Sequence, residues 1–318
     1  MNPDAATHAE PHPAQLANPF KRYFLATRPS FLLASLVPVF IGLATAHVSG
    51  VALNVWSAFL TMIGAVVIHA GVNVLNDYYD ALNGTDDLNQ ERLFPFTGGS
   101  RFIQNGVLSR RETARFGAAL LGGGGLIGLW LLHAGSGLFV IGLLGLFIGW
   151  AYSAPPFALN SRGLGELCVG TGFGLMIVSG ADYVQRHHFD LLPLAASLPY
   201  ALLATSLLYI NQFPDRAADE QAGKHHWVVR LGVERARWGY LIMVSLAYGI
   251  LATLVIMGVL PNRSLLGLLP LPLSMRAALT LLRHARDVPK LTPAIVLTIQ
   301  ALLAHGMLLA LGLWLAGR

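Results

Sequence analysis

The chain is short of charge and almost without cysteine. Only 12% of its 318 residues are charged, about half the roughly 25% of an average soluble protein. With 54% apolar residues and a mean hydropathy of +0.58, there is too little polar surface to clothe a water-soluble fold, which excludes a large soluble module. The single cysteine, Cys168, excludes an internal disulfide, so cysteine usage says nothing of compartment; set in an apolar stretch, it reads as a small packing residue. Residues 1–19 are proline-rich and have no apolar run. They lack the basic start and apolar stretch of a cleavable signal and read as a disordered leader. The net charge of +5 raises the question of nucleic acid, but the placement of the bases answers it differently.

What the chain does have is long apolar runs. Nine can be drawn, at 29–48, 53–83, 112–134, 136–154, 164–185, 191–214, 236–260, 262–284 and 291–315, each near the roughly 20 residues that cross a bilayer as a helix. This predicts an all-α, polytopic membrane protein in which residues 20–318 form one transmembrane domain. Counting the leader and the connections after the second, fourth, sixth and eighth runs, 17 of the 21 Lys and Arg fall on one side; only Arg186, Arg263, Arg276 and Arg318 lie elsewhere. The positive-inside rule then puts the leader and those connections in the cytoplasm, with the protein in the inner membrane. Such a distribution marks a membrane topology, not a nucleic-acid surface. The four-glycine run Gly122–Gly125 predicts close helix packing.

Two acid-rich stretches end apolar runs, and carboxylates beside a membrane core are costly enough to be functional by default. The first runs from Asn73 through Asn76, Asp77 and Asp80 to Asp86 and Asp87; the second holds Asn211, Asp215, Asp219 and Glu220. On a helix Asn73, Asp77 and Asp80 share one face, as do Asn211, Asp215 and Asp219, while Glu220 does not join them. Two such faces turned toward each other would make a cage of hard oxygen ligands suited to Mg²⁺, which typically bridges to substrate phosphates.

Bases accompany the acids. After the second run comes Thr97-Gly98-Gly99-Ser100-Arg101; the glycines permit close backbone approach to an anion and Arg101 can hold a phosphate with a fork contact. After the sixth, Gly223-Lys224 suits a point-charge phosphate contact. The adjacent His225 and His226 rarely point at one site and read as a solvated face. After the fourth run, Pro155-Pro156 ends the helix and fixes Tyr152 at the mouth, where an interfacial aromatic anchor is the other reading.

The Asn76-Asp77-x-x-Asp80 run, the Tyr152-Ser-x-Pro155-Pro156 run and the Asn211-x-x-x-Asp215-x-x-x-Asp219 run, in that order after the second, fourth and sixth spans, resemble the UbiA superfamily of intramembrane prenyltransferases over about residues 20 to 315. Ala222-Gly223-Lys224 and Val229-Arg230-Leu231-Gly232 look most like the branch that prenylates 1,4-dihydroxy-2-naphthoate for menaquinone. The resemblance implies nine helices around a central cavity open to lipid, a polyprenyl diphosphate and an aromatic acceptor as partners, and Mg²⁺ held by Asp77, Asp80, Asp215 and Asp219. Arg101 and Lys224 would stabilise the leaving diphosphate. Asn73, Asn76, Tyr152 and Asn211 would line the substrates, and Arg162 and Arg230 are bases able to pair with an acceptor carboxylate. Two departures stand out: the third Asp usual in the first motif is Gly84, with Asp86 and Asp87 as substitutes, and Gly99 occupies a position where the naphthoate branch is expected to have Pro.

Other classes fit less well. An ion-coupled transporter would place single acids mid-span, whereas 236–260 carries none, 112–151 has only Glu112 at its very first residue, and the acids here gather with bases at one mouth. A CDP-alcohol phosphatidyltransferase needs Asp-Gly-x-x-Ala-Arg soon after its first Asp pair, which is missing. A soluble isoprenyl diphosphate synthase would have neither nine spans nor the charge bias. Among aromatic acceptors, 4-hydroxybenzoate is the alternative to the naphthoate.

Overall fold

The computed structural model of the protein describes residues 10–317. Eight helices are long and apolar enough to cross a membrane: Pro29–Val48, Val55–Asn83, Arg110–Ala134, Gly165–Arg186, Leu191–Gln221, Val233–Ile256, Asn262–His284 and Val288–Ala316. They correspond to all the predicted spans but the fourth. That run forms a helix only over Gly137–Ala151, 15 residues, about 22 Å at 1.5 Å per residue against a hydrocarbon core of about 30 Å. Gly135 at φ 136° delays its start, and the turns running into Pro155-Pro156 end it. Among the described residues the nine expected helices are thus present, eight of them long enough to cross a membrane and the fourth shorter.

Local signals set the boundaries. The Asn54 side chain accepts from Ser57 N at 2.9 Å to cap the second span. Ser109 and Glu112 form a capping box at the start of the third, and Asp190 accepts from Leu192 N at 2.8 Å to open the sixth. Such caps satisfy backbone N–H groups that have no partner within the helix. The second span stops at Gly84, whose φ of +82° lies in the left-handed region where a Cβ is disfavoured.

The main core is built by the first, sixth, seventh, eighth and ninth spans, around fully buried Tyr200, Tyr240, Ile210, Leu251, Leu281 and Ile295. The second and third spans pack on each other through a ladder of small against large residues. A Cβ on Gly117 would lie 2.7 Å from Leu75, one on Gly124 2.4 Å from Ile68, and one on Gly71 3.0 Å from Leu121. Of the glycine run only Gly124 makes this close approach; Gly122 and Gly123 face open space. The fifth span carries a π-helical stretch over Gly170–Met176, a departure from α geometry often found at functional sites.

The short fourth helix turns Phe139, Val140, Leu143, Leu144, Phe147 and Trp150 outward, exposed, while Ile141, Gly145, Leu146 and Gly149 line a central cavity. It is apolar on both sides, as a helix between the cavity and lipid would be. Residues 1–9 of the expected leader lie outside the described residues. Glu10–Asn18 is held against the loop after the second span: Glu10 pairs with Arg92 at 2.6 Å, accepts from Asn105 Nδ2 at 3.2 Å, and Leu16 is buried beside Phe102 and Val107.

Candidate active site

The cavity has a volume of about 410 Å³. Its deeper wall is apolar, with Ile68, Val72, Phe173, Met176 and Leu207. Its mouth is polar, with Asp80, Asp86, Asp215, Asp219 and Lys224. The two acidic stretches predicted to face each other therefore do so at one end of the bundle.

The join between them is a lysine. Lys224 Nζ lies 2.8 Å from Asp80 Oδ1 and 3.3 Å from Asp219 Oδ1. Asp80 also accepts from Asn83 Nδ2 at 3.3 Å. A tight turn sets this up: Gly223 takes φ +79° and Lys224 N donates to Asp219 O at 2.8 Å. Burial would lower the affinity of the Lys224 ammonium for its proton, but the Asp80 and Asp219 carboxylates reverse this and raise it above its ordinary value. The same turn carries His226 inward, 3% exposed, with Nε2 3.0 Å from Asp219 Oδ2. His226 thus lines the cavity, and the reading of it as a solvated face is corrected.

The Gly98-Gly99 loop does approach anions, but they are the protein's own. Gly98 N donates to Asp215 Oδ2 at 3.4 Å, and Ser100 N donates to Asp77 Oδ1 at 3.2 Å. A Cβ on Gly99, at φ +72°, would sit 2.6 Å from Asp86 Oδ2 and 3.1 Å from Asp77 Oδ1. Asn89 Nδ2 donates to Asp215 Oδ1 at 2.6 Å. Of the two acids that follow Gly84, one reaches the cavity. Gly84 ends the second span, the chain re-enters a one-turn helix at Thr85–Leu88, and Asp86 returns buried to the cavity while Asp87 is exposed. Burial, then the charges of Asp80 and Asp77, push the Asp86 carboxyl well above the usual carboxylate range.

Other predicted residues divide. Asn73, Asn76, Tyr152 and Asn211 line the cavity, with Asn73 Nδ2 donating to Thr27 O at 3.1 Å and Asn76 Nδ2 to Ser153 Oγ at 3.0 Å. Asp77 is buried behind the loop and does not itself line the cavity. Arg101 is also off the wall: it donates to the Asp86 carbonyl and lies 3.8 Å from Glu10. Arg162 and Arg230 are not brought to the cavity. Arg162 donates to Pro156 O at 2.6 Å, and Arg230 to His225 O at 2.6 Å and to Arg162 O at 2.8 Å. The guanidinium on the wall is that of Arg28, which donates to Phe96 O at 3.3 Å and stacks over Phe31.

Asn89, Thr97, Arg28 and Gln212 were not singled out by sequence and line the cavity. Gln212 holds Glu166, the first acid of the fifth span, by donating Nε2 to Oε1 at 3.0 Å. An acid inside an apolar run is itself a signal that could have found Glu166. A second such acid, Asp182 at the opposite end, is absorbed structurally by Arg186 at 2.7 Å and Thr45 at 2.7 Å.

Taken together the mouth holds four carboxylates, Asp80, Asp86, Asp215 and Asp219, with Asp77 buried behind them; among the described residues only Asp80 and Asp219 of these are in ion-pair contact with a lysine or arginine, and that one is Lys224. No three acidic, His or Cys side chains among them converge as a ready metal cluster. The surplus negative charge is all on oxygen, the donor type that hard cations prefer.

Comparison with known proteins agrees with this geometry. Residues 35–294 match the profile of the UbiA prenyltransferase family. The chain is 30% identical over 300 residues to the 1,4-dihydroxy-2-naphthoate octaprenyltransferase of Mycobacterium leprae, covering 94% of this chain and 98% of that protein. It is 29% identical to the protein of the same name from Escherichia coli, covering 91% and 97%. Among solved structures, a UbiA homolog from Archaeoglobus fulgidus bound to GPP and Mg²⁺ superposes with a TM-score of 0.61 at 18% identity, covering 91% and 99%, a likeness of fold.

Proposed function

The chain belongs to the UbiA prenyltransferase family, and from that premise we propose that it transfers a polyprenyl group from its diphosphate to 1,4-dihydroxy-2-naphthoate, for menaquinone, releasing diphosphate and CO₂. The observation that carries the reading is the Lys224 bridge between Asp80 and Asp219 at the mouth of an otherwise apolar cavity. It brings the two acidic motifs to one point, where the diphosphate would sit while its tail lies in the cavity. Each buried CH₂ of the tail contributes about 0.8 kcal/mol of binding.

The donor set fits Mg²⁺: hard oxygens from Asp80, Asp86, Asp215 and Asp219 on the wall, with Asp77 close behind them, in surplus over the local bases and with no thiol among them. When bound, Mg²⁺ would neutralise charge growing on the departing diphosphate. Lys224 then meets the same charge from the protein side, and the apolar wall keeps water from an allylic cation until the aromatic ring attacks it. Arg28 is the guanidinium available to an acceptor carboxylate; Arg101 serves by bracing the loop at Asp86.

The bias of 17 of 21 Lys and Arg toward the mouth side supports an inner-membrane protein with this mouth in the cytoplasm, and residues 20–318 act as one domain. Product mass tests the acceptor. With the naphthoate, the prenyl group replaces the carboxylate and 44 Da of CO₂, roughly, is lost; with 4-hydroxybenzoate the acid is kept. A prenylated hydroxybenzoate and no naphthoate product would reassign the acceptor.

A further inference from the structure

Glu166 stands apart from the aspartate cluster. It is 8% exposed and no lysine, arginine or histidine among the described residues pairs with it. Its Oε1 accepts from Gln212 Nε2 at 3.0 Å, whereas its Oε2 and the Oε1 of Gln212 are buried with no hydrogen-bond partner. Gln212 is also 8% exposed and lines the cavity, with Glu166 directly behind it and not itself on the wall. It lies three residues before Asp215 on the same helix, about 4.5 Å deeper along the axis. Around the pair, Tyr152 and Cys168 line the cavity, and a Cβ on Gly165 would meet the Tyr152 ring at 3.6 Å. Thr205 Oγ1 donates to the Glu166 carbonyl at 3.3 Å, so the backbone here is fixed to the sixth span.

A buried carboxyl with no cation and one free oxygen is costly to keep. Its free atoms are acceptors only, because the amide donors of Gln212 face Glu166. A diphosphate or a carboxylate would be repelled. The complementary group is a neutral O–H donor, and it must come within reach of a prenyl C1 held just outside it at the level of Asp215 and Asp219.

We infer that Glu166 receives an aromatic hydroxyl of the acceptor, with Gln212 setting the direction of its carboxyl. This rests on the proposed transfer to a hydroxylated aromatic acid. Glu166 Oε2 takes the hydroxyl proton as the ring carbon forms its bond to C1. The C1–O bond breaks and its electron pair leaves with the diphosphate, so the acceptor becomes a dienone. Loss of CO₂ from the attacked carbon returns the bonding pair to the ring, and the proton passes back from Glu166 to the phenolate oxygen. The pair also explains why the anionic end stays at the mouth: two unpartnered acceptor oxygens lie below it.

The test uses the full chain in detergent with farnesyl diphosphate, 1,4-dihydroxy-2-naphthoate and a ring-fluorinated naphthoate whose hydroxyl is more acidic. Glu166→Gln should bind farnesyl diphosphate within about twofold of wild type and transfer about 100-fold more slowly, as expected for loss of a general base. The deficit should shrink with the fluorinated acceptor, which needs less help to ionise. Glu166→Asp, which keeps a proton acceptor, should retain more activity than Glu166→Gln. A merely structural tie to Gln212 gives the reverse order, because Gln is isosteric. Equal deficits with both acceptors, Gln surviving better than Asp, or loss of farnesyl diphosphate binding together with transfer would each overturn the inference. The wild-type arm reads the parent assignment separately. No prenylated aromatic from wild type overturns the proposed function, whereas wild-type turnover with an unimpaired Glu166→Gln overturns only the role of Glu166.

Discussion

Lys224 Nζ lies 2.8 Å from Asp80 Oδ1, so a residue from the loop after the sixth span closes on the last turn of the second. The same ammonium reaches Asp219. It therefore links the two acidic motifs and occupies the place between them where a bridging cation is most stabilised.

Removing that ammonium separates two effects. Lys224→Met should lower prenyl transfer at least about 100-fold, comparable to losing a major electrostatic stabiliser of the leaving group. It should also destabilise the protein by about 3–5 kcal/mol in metal-free buffer, because buried carboxylates lose their partner. Added Mg²⁺ should raise the melting temperature of Lys224→Met more than that of wild type, since the metal no longer competes with the lysine. Equal Mg²⁺ shifts in the two proteins, by thermal unfolding in detergent, would show that the metal does not bind between Asp80 and Asp219.

The aspartates should rank by position. Asp77→Asn, Asp80→Asn, Asp86→Asn, Asp215→Asn and Asp219→Asn should each cost about 100-fold or more, and Asp87→Asn and Glu220→Ala little. Asp86 and Asp87 make the sharpest pair: adjacent in sequence, one buried in the cavity and the other exposed. Steady-state rates for the two single variants check this, and equal losses would contradict the way the Thr85–Leu88 turn restores the third acid.

The helices and the two acidic faces were legible because their signals are periodic. Apolar length gave the spans, and the i, i+4 spacing put Asp215 and Asp219 on one side, as the cavity lining bears out. The loops were not, because their contacts hang on single left-handed residues that composition does not reveal. Gly84, Gly98, Gly99, Arg101 and Gly223 all have positive φ. These turns take Arg101 off the cavity wall, fold His226 onto Asp219, and leave Arg162 and Arg230 outside. The fourth helix was foreseen but drawn too long, because the run 136–154 reads on through Tyr152-Ser153-Ala154 after the regular helix ends at Ala151.

Gly99 gives a prediction that runs against the branch pattern. Its φ of +72° is closed to proline, whose ring fixes φ near −65°, and a Cβ there meets Asp86 at 2.6 Å. Gly99→Pro, which installs the residue expected of the naphthoate branch, should lower transfer about tenfold or more by displacing Asp86 and Asp77. Unchanged kcat/KM would show that the loop accepts a second conformation.

Packing of the third span is tested by its glycines. Gly124→Ala places a Cβ 2.4 Å from Ile68 and should destabilise by about 1–3 kcal/mol, whereas Gly122→Ala, with nothing within 4 Å, should be neutral or slightly stabilising. Melting temperatures of the two variants in one detergent decide it; a larger loss at Gly122 would contradict the ladder between the second and third spans.

The central claim is that the mouth holds a metal-bound diphosphate and the cavity joins its prenyl group to an aromatic ring. The most direct measurement is the stoichiometry of diphosphate released to prenylated acceptor formed, from purified protein with farnesyl or geranylgeranyl diphosphate, 1,4-dihydroxy-2-naphthoate and Mg²⁺, with and without excess EDTA. The prediction is one diphosphate per prenylated product with Mg²⁺ and neither with chelator. Full turnover in EDTA, or diphosphate released with no prenylated aromatic, would contradict it.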